Sequence, residues 1–166
     1  MALWRSHFQV LDLPCCWSHR LWRPTSSLDL SALRSAIQSL DDGLSVVSDV
    51  DWFKKQNDKV QHTLIAGVIQ NFEFVYEISI KMIRRQLEIE ADSASEIDQA
   101  SFRDVLRIAA EKGLIADVEA WFGFRQMRNI TAHTYDHAKA QQVYQGTQSF
   151  LDHARQLLIQ LDVRNG

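Results

Sequence analysis

Residues 68–87, VIQNFEFVYEISIKMIRRQL, decide the fold, because their apolar side chains recur at spacings of three and four. This period places them along one side of an α-helix. The pattern continues in both directions, so we predict one long helix from about residue 51 to residue 90. Its buried side comprises Val60, Leu64, Val68, Phe72, Val75, Ser79, Met82, Ile83 and Leu87, and is widened by Phe74, Tyr76 and Ile80. Such breadth predicts contacts with more than one neighbouring helix.

Helical patterns also flank this segment. A stripe of leucine, isoleucine and valine between Leu28 and Val47 predicts an amphipathic first helix. Residues 91–99 are polar and are predicted to form a loop. Ser101, three residues before Asp104, is typical of a helix start, and Gly113 is predicted to end that short helix.

Two helices are predicted in the remainder of the chain, one from about Ala116 and one from His137 to Leu161, with Asp136 as the N-cap of the latter. No stretch alternates polar and apolar residues as a strand would. The sequence therefore predicts an all-α fold, an antiparallel up-and-down bundle of four to five helices with short connections.

The composition narrows the function classes. The chain has 166 residues and a formal net charge of -3, which argues against bulk attraction to nucleic acid and leaves only a local basic patch possible. The two cysteines, Cys15 and Cys16, are adjacent and cannot adopt ordinary disulfide geometry, so we expect a reducing, cytoplasmic location. No run of 18 apolar residues exists, so no membrane span is expected.

Residues 1–27 differ in composition from the rest and contain three of the five tryptophans, both cysteines and both prolines. Charged and polar residues interrupt any apolar run, so a secretory signal is not predicted. Two interpretations stay open: an N-terminal arm that packs on the domain, or a start codon assigned too far upstream. The helical domain is predicted to span residues 28–163.

The octapeptide RNITAHTY, residues 128–135, concentrates polar chemistry on an otherwise ordinary helix. If the helix continues to about residue 133, Asn129 and His133 share one face, and Arg128 lies on the adjacent stripe. Histidine transfers protons near neutral pH and arginine binds phosphoryl oxygens, which suits metal-free cleavage of RNA. One chain supplies one such histidine, so a general acid and a general base together require a dimer.

Structural alternatives remain for the same residues. An arginine and a histidine near a helix end can cap carbonyl groups or link helices without catalysing anything. A zinc site is not predicted, because a helix break at Asp136 would separate His133 from His137. On the long helix, Glu73, Glu77, Lys81, Arg84 and Arg85 are predicted to form a solvated or ion-pairing face, with Glu77 paired to Lys81.

RNITAHTYD, residues 128–136, resembles the R-x4-6-H-x-Y signature of HEPN domains, in the branch of nucleotidyltransferase substrate-binding proteins to which the HepT toxins are related. Three further blocks resemble the family in the same order: LDLSALRSAIQSLDDGL, VIQNFEFVYEISIKMIRRQL and SFRDVLRIAAEKGLI. The likeness covers residues 28–161. It implies a HEPN-like helical bundle that forms a homodimer with the signature near the dimer interface.

The resemblance also implies a function. In the toxin branch the protein is a metal-independent ribonuclease, which would make RNA the substrate, Arg128 and His133 catalytic and Asn129 a polar support, with no metal or cofactor. The implied partner is a minimal nucleotidyltransferase of the MNT type, which would form a hetero-oligomer with the toxin and silence it by AMP transfer to Tyr135. The alternative is a non-catalytic subunit that supplies the nucleotidyltransferase with its substrate pocket. A third interpretation is a purely structural scaffold.

Overall fold

The computed structural model describes residues 27–131 and 137–166, and residue 137 in its backbone only. Within these ranges all regular structure is helical. The helices are α1 (Ser31–Ser48), α2 (Val50–Phe53), α3 (Asp58–Glu90), α4 (Ala94–Gln99), α5 (Phe102–Glu111), α6 (Val118–Ile130) and α7 (His137–Asn165). The predicted all-α class is confirmed.

Contacts between helices fix the direction of each one in the bundle. Along α1, Arg34 pairs with Asp162 and Asp41 with Arg155, so α1 and α7 run antiparallel. The amide of Asn71 on α3 donates to the carbonyl of Ser39, which brings the middle of α3 beside the middle of α1.

Helix α6 is also antiparallel to its neighbours. Its end lies beside Glu73 of α3, and Met127 lies against Gly146 near the start of α7. Helices α1, α3, α6 and α7 therefore form an up-and-down four-helix bundle, in which α3 and α7 share one direction.

A cluster of aromatic rings holds α3, α6 and α7 together. The ring of Phe150 meets Phe72 edge to face at 4.8 Å between centroids, and Phe124 at 5.1 Å. Trp121 is 1% exposed and lies 6.1 Å from the same ring. Aromatic pairs of this geometry add to the free energy of burial, so this cluster fixes the position of α6.

Local signals act as predicted in the second half of the chain. The Ser101 hydroxyl accepts from the Asp104 amide at the start of α5. After α5, Gly113 has φ 71°, and Leu114 N donates to Ala109 O at 2.8 Å, which is a Schellman ending. Gly113 therefore ends the helix as expected, in a conformation that other residues rarely adopt.

The long central helix is shorter than predicted. Residues 50–53 form the separate helix α2, and α3 starts at Asp58, where the Asn57 side chain accepts from Val60 N. The predicted loop at 91–99 contains α4. Phe74 and Val60, expected on the buried side, are 55% and 36% exposed. The sequence did not reveal the start of α3, because apolar residues occur on both sides of the Asn57 cap. The apolar pattern alone therefore does not show where one helix ends and the next begins.

Smaller differences concern the ends of the last two helices. Helix α6 starts at Val118, two residues later than expected, and α7 continues to Asn165. Asp136 and most of the N-terminal extension lie outside the described residues. Among the described residues, no helix contains an apolar stretch of the length that a membrane span requires.

Candidate active site at the end of helix α6

Helix α6 carries Arg128 in its last turn. Asp117 is the N-cap of this helix, and its carboxylate accepts from Ala120 N at 3.0 Å. The buried rings of Trp121 and Phe124 fix the inner face of the helix. Arg128 follows Phe124 by four residues and so emerges on nearly the same side, just beyond the core. A cation here also interacts favourably with the negative end of the helix dipole.

Two carboxylates of α3 hold the Arg128 guanidinium. Its Nε donates to Glu77 Oε1 at 2.9 Å, and its Nη1 lies 3.1 Å from Glu73 Oε1. The Arg128 side chain is 34% exposed, Glu73 21% and Glu77 60%. The guanidinium is thus fixed at the edge of the bundle, and part of it still faces solvent.

Thr131 completes this arrangement at the end of α6. Its hydroxyl contacts the Glu73 carboxylate, accepts from Arg128 Nη1 at 3.1 Å and lies 2.7 Å from the Arg128 carbonyl oxygen. Thr131 is 5% exposed. A buried hydroxyl with three partners is a fixed point, so it ties the end of α6 to α3 immediately before residue 132.

Among the described residues, the Arg128 guanidinium has one nitrogen, Nη2, without a hydrogen-bond partner. Within the described residues, the hydrogen bonds of Arg128 use Nε and Nη1, and none involves Nη2. The cluster of Arg128, Glu73 and Glu77 carries one positive and two negative formal charges. Arg128 can therefore offer a directed donor to a phosphate, although its charge is offset by its supports.

Tyr76 lies behind this cluster on α3 and is 5% exposed. Burial raises the pKa of Tyr76 to about 12, the charge of Glu77 adds to the rise, and Arg125 and Arg128 oppose it. Tyr76 is therefore neutral at physiological pH, and its ring packs 6.4 Å from that of Phe150. It contributes packing beneath the cluster rather than charge.

The predicted site residues have different outcomes. Arg128 lies in the last turn of α6, and Asn129 is exposed on the adjacent face. The catalytic and supporting roles of these two residues stay predictions. His133 and Tyr135 lie outside the described residues, so their roles stay predictions. Helix α6 is described to Ile130, with Thr131 as its C-cap.

Glu73, Glu77 and Thr131 were not predicted as site residues. Glu77 was predicted to form an ion pair with Lys81. In the structure it forms an ion pair with Arg128 instead. One signal was available: Glu73 and Glu77 are four residues apart on a helix, where like charges repel each other. A cation from another helix relieves this repulsion, and Arg128 does so here.

Comparison with known proteins is consistent with this fold. The family described as "Nucleotidyltransferase substrate binding protein like" matches residues 28–163. A Haemophilus influenzae protein named "Probable ribonuclease HepT" is 48% identical over 141 residues, which are 85% of this chain and 97% of that protein. A solved structure from the same organism is described as revealing the fold of a substrate binding domain of a nucleotidyltransferase. It aligns with a TM-score of 0.79 and 47% identity, over 81% of this chain and 99% of that one.

Proposed function

Because this chain belongs to the nucleotidyltransferase substrate-binding-protein-like family, we propose that it is a HepT-like ribonuclease toxin. The observation that carries the proposal is the 48% identity to a probable ribonuclease along nearly the whole of that protein. The position of Arg128 supports it: the guanidinium is fixed by α3, is partly exposed, and lies five residues before His133. The proposed site of action is the cytoplasm.

The proposed reaction needs no metal. A histidine accepts the proton of an RNA 2'-hydroxyl, the 2'-oxygen attacks phosphorus, and the bond to the 5'-oxygen breaks. A second histidine donates a proton to the departing 5'-oxygen, which leaves a 2',3'-cyclic phosphate and a 5'-hydroxyl. Arg128 stabilises the charge that develops on the phosphoryl oxygens, and Asn129 orients the histidine or the RNA.

Two histidines are required for this scheme, and each chain carries one at this position. We propose that a homodimer places two copies of Arg128 and His133 at a shared cleft. The ion pairs of Arg128 with Glu73 and Glu77 support this arrangement. A guanidinium that its own chain already holds in place needs no reorganisation when the second copy binds.

Growth in cells tests the activity. Expression of the chain without a partner should arrest growth, and His133→Ala and Arg128→Ala should each relieve the arrest. Arg155→Ala is the matched control, because it removes an arginine from the side of α7 that faces α1. Arrest that persists undiminished in His133→Ala at equal protein level rejects the catalytic assignment.

We further propose that a minimal nucleotidyltransferase neutralises the toxin by transferring AMP from ATP to Tyr135. Negative charge added there would oppose entry of an RNA phosphate near Arg128. Intact-mass analysis after incubation with that enzyme and ATP should show one adenylyl group. Tyr135→Phe should not gain this mass, while Tyr144→Phe should gain it in full; equal gain in both variants excludes Tyr135 as the acceptor.

A second candidate is a non-catalytic subunit that provides a nucleotidyltransferase with its substrate pocket. The descriptions of the family and of the solved relative favour it. The offset charge of Arg128 also fits a residue that supports structure rather than catalysis. This candidate predicts harmless expression alone and a stable complex on co-expression with the nucleotidyltransferase. Growth arrest that depends on His133 rules it out.

A further inference from the structure

Three arginines on α5 and α6 differ from the other arginines of the described residues. Within the described ranges, Arg103, Arg107 and Arg125 have no carboxylate within ion-pair distance and no side-chain hydrogen bond. By contrast, ion pairs to carboxylates engage Arg34, Arg85, Arg128, Arg155 and Arg164, and Arg84 donates to a backbone carbonyl. In a chain of net charge -3, three of the four described arginines that lack a carboxylate partner therefore lie on the adjacent helices α5 and α6, and the fourth, Arg84, lies on α3.

Two of these arginines stack on aromatic rings between α5 and α6. The Arg125 guanidinium carbon lies 4.1 Å from the centroid of the Phe102 ring, and that of Arg103 lies 5.0 Å from the centroid of Phe122. The two rings meet edge to face at 6.0 Å. The result is a continuous row, Arg125, Phe102, Phe122 and Arg103, in which each guanidinium covers a ring and is itself exposed.

Helix α5 also carries two carboxylates, Asp104 and Glu111, neither of which is within ion-pair distance of the three arginines. The Asp104 carboxylate accepts from the Ser101 hydroxyl at 2.6 Å, as part of the cap of α5. A stacked guanidinium keeps its in-plane N–H donors free and presents its second face outward. This combination matches a nucleotide, since the face can stack on a base and the donors can bind a phosphate.

The row leads towards the candidate active site. Phe122, Arg125 and Asn129 follow one another at spacings of three and four, so they lie along one face of α6. Arg125 is also one turn before Arg128. Because α6 rises about 1.5 Å per residue, the stacked Phe122 lies about 10 Å along the helix from Asn129.

We propose that the Arg103, Phe122, Phe102 and Arg125 row, with Arg107 beside it, is the binding track for the single-stranded RNA that flanks the cleaved bond. This inference rests on the proposed ribonuclease function and adds the surface that holds the substrate. It also reconciles an acidic chain with an RNA substrate, because attraction is confined to one face that leads to the site.

Binding of a 12-nucleotide 2'-O-methyl RNA to the full chain, followed by fluorescence anisotropy at several salt concentrations, tests the track. The probe cannot be cut by attack of its 2'-oxygen. Arg103→Gln/Arg125→Gln should weaken binding at least about tenfold and lower the salt slope by about 1.4, which is about 0.7 for each phosphate that the single-stranded probe no longer contributes. Arg155→Gln is the control, because it also removes an arginine, but from the side of α7 that faces α1. This variant should keep the RNA affinity within about twofold of the unmodified chain.

Two further variants separate charge, stacking and folding. Arg107→Gln should also weaken RNA binding. Because Arg107 contacts no ring in the structure, this loss would not come from altered packing between α5 and α6. Arg125→Lys keeps the charge but loses the planar stack, so it should keep the salt slope and lose part of the affinity. Circular dichroism of each variant must match that of the unmodified chain.

Cleavage of the unmodified RNA of the same sequence separates this inference from the proposed function. If the chain cuts and binds RNA, but the double variant binds as well as Arg155→Gln, the track is rejected and the ribonuclease stands. If the chain binds but never cuts, and the double variant binds weakly, the ribonuclease is rejected and the row stands as an RNA-binding surface only. No binding by the unmodified chain rejects both. If the double variant instead loses only binding of an acidic protein partner, the surface is a protein interface and the RNA track is wrong.

Discussion

Arg128 Nε donates to Glu77 Oε1 at 2.9 Å, between residues 51 positions apart in the chain. This contact links the end of α6 to the middle of α3 and sets the direction in which the guanidinium points. Glu73 and Thr131 close the arrangement from the inner side. The candidate catalytic arginine is therefore oriented by the bundle itself, before any partner or substrate is present.

The two carboxylates should contribute unequally to stability. Glu73 is mostly covered and serves both Arg128 and Thr131, so Glu73→Gln should lower the free energy of unfolding by about 1–2 kcal/mol. Glu77 is 60% exposed, so Glu77→Gln should cost only about 0–1 kcal/mol. Urea unfolding of both variants measures the difference. Equal losses would show that the inner carboxylate has no special role.

Thr131 should be sensitive to loss of its hydroxyl alone. Thr131→Val keeps the shape but leaves the Glu73 carboxylate and Arg128 Nη1 without one buried partner, which should cost about 1–2 kcal/mol. Thr63→Val is the matched control, since that hydroxyl bonds only the Lys59 carbonyl on the exposed face of α3. Thermal unfolding of the pair measures the effect, and similar melting temperatures would contradict it.

Two helical glycines should respond differently to replacement by alanine. A Cβ at Gly123 would meet nothing within 4 Å, so Gly123→Ala should stabilise the fold by about 0.5–1 kcal/mol. A Cβ at Gly146 would lie 2.6 Å from Met127 Sδ, so the methionine must move and the helix-propensity gain should be lost. Denaturant unfolding compares the two variants. A matching gain at Gly146 would mean that the Met127 side chain moves aside without cost.

The features predicted correctly from the sequence are those that depend on neighbouring residues in the chain. Helical spacing identified the all-α bundle, and Ser101 and Gly113 marked the ends of α5, because caps act on neighbouring residues. It did not predict that Phe74 is exposed or that Glu77 reaches Arg128. Those facts depend on how α6 lies against α3, a relation between segments about 50 residues apart. Periodicity cannot choose which of several apolar or charged faces meets which neighbour.

Tyr76 should make stability fall at alkaline pH. Burial raises its pKa to about 12 from an ordinary value of 10.0. Between these values the unfolded chain loses this proton while the folded chain keeps it, so folding loses free energy as pH rises. From pH 9 to pH 11 the loss should be about 1 kcal/mol.

Tyr76→Phe should remove that part of the pH dependence, and tyrosinate absorbance should lose its most alkaline step. The ring contacts with Phe72 and Phe150 remain available to phenylalanine. Urea unfolding at pH 9, 10 and 11 provides the comparison, with Tyr144→Phe as the control for a tyrosine that is less covered. An unchanged slope in Tyr76→Phe would show that Tyr76 ionises as it does in the unfolded chain.

The requirement for two copies of His133 can be tested by mixing chains. Cell-free synthesis from a threefold excess of His133→Ala template produces randomly paired dimers, in which a wild-type chain meets another wild-type chain about one time in four. If the general acid and the general base come from different chains, RNA cleavage per wild-type chain should fall to about one quarter. An excess of Arg155→Ala template should leave cleavage per total chain unchanged. If dual-tag capture demonstrates mixed dimers and cleavage per wild-type chain does not fall, each chain acts with its own histidine, and the shared cleft is wrong.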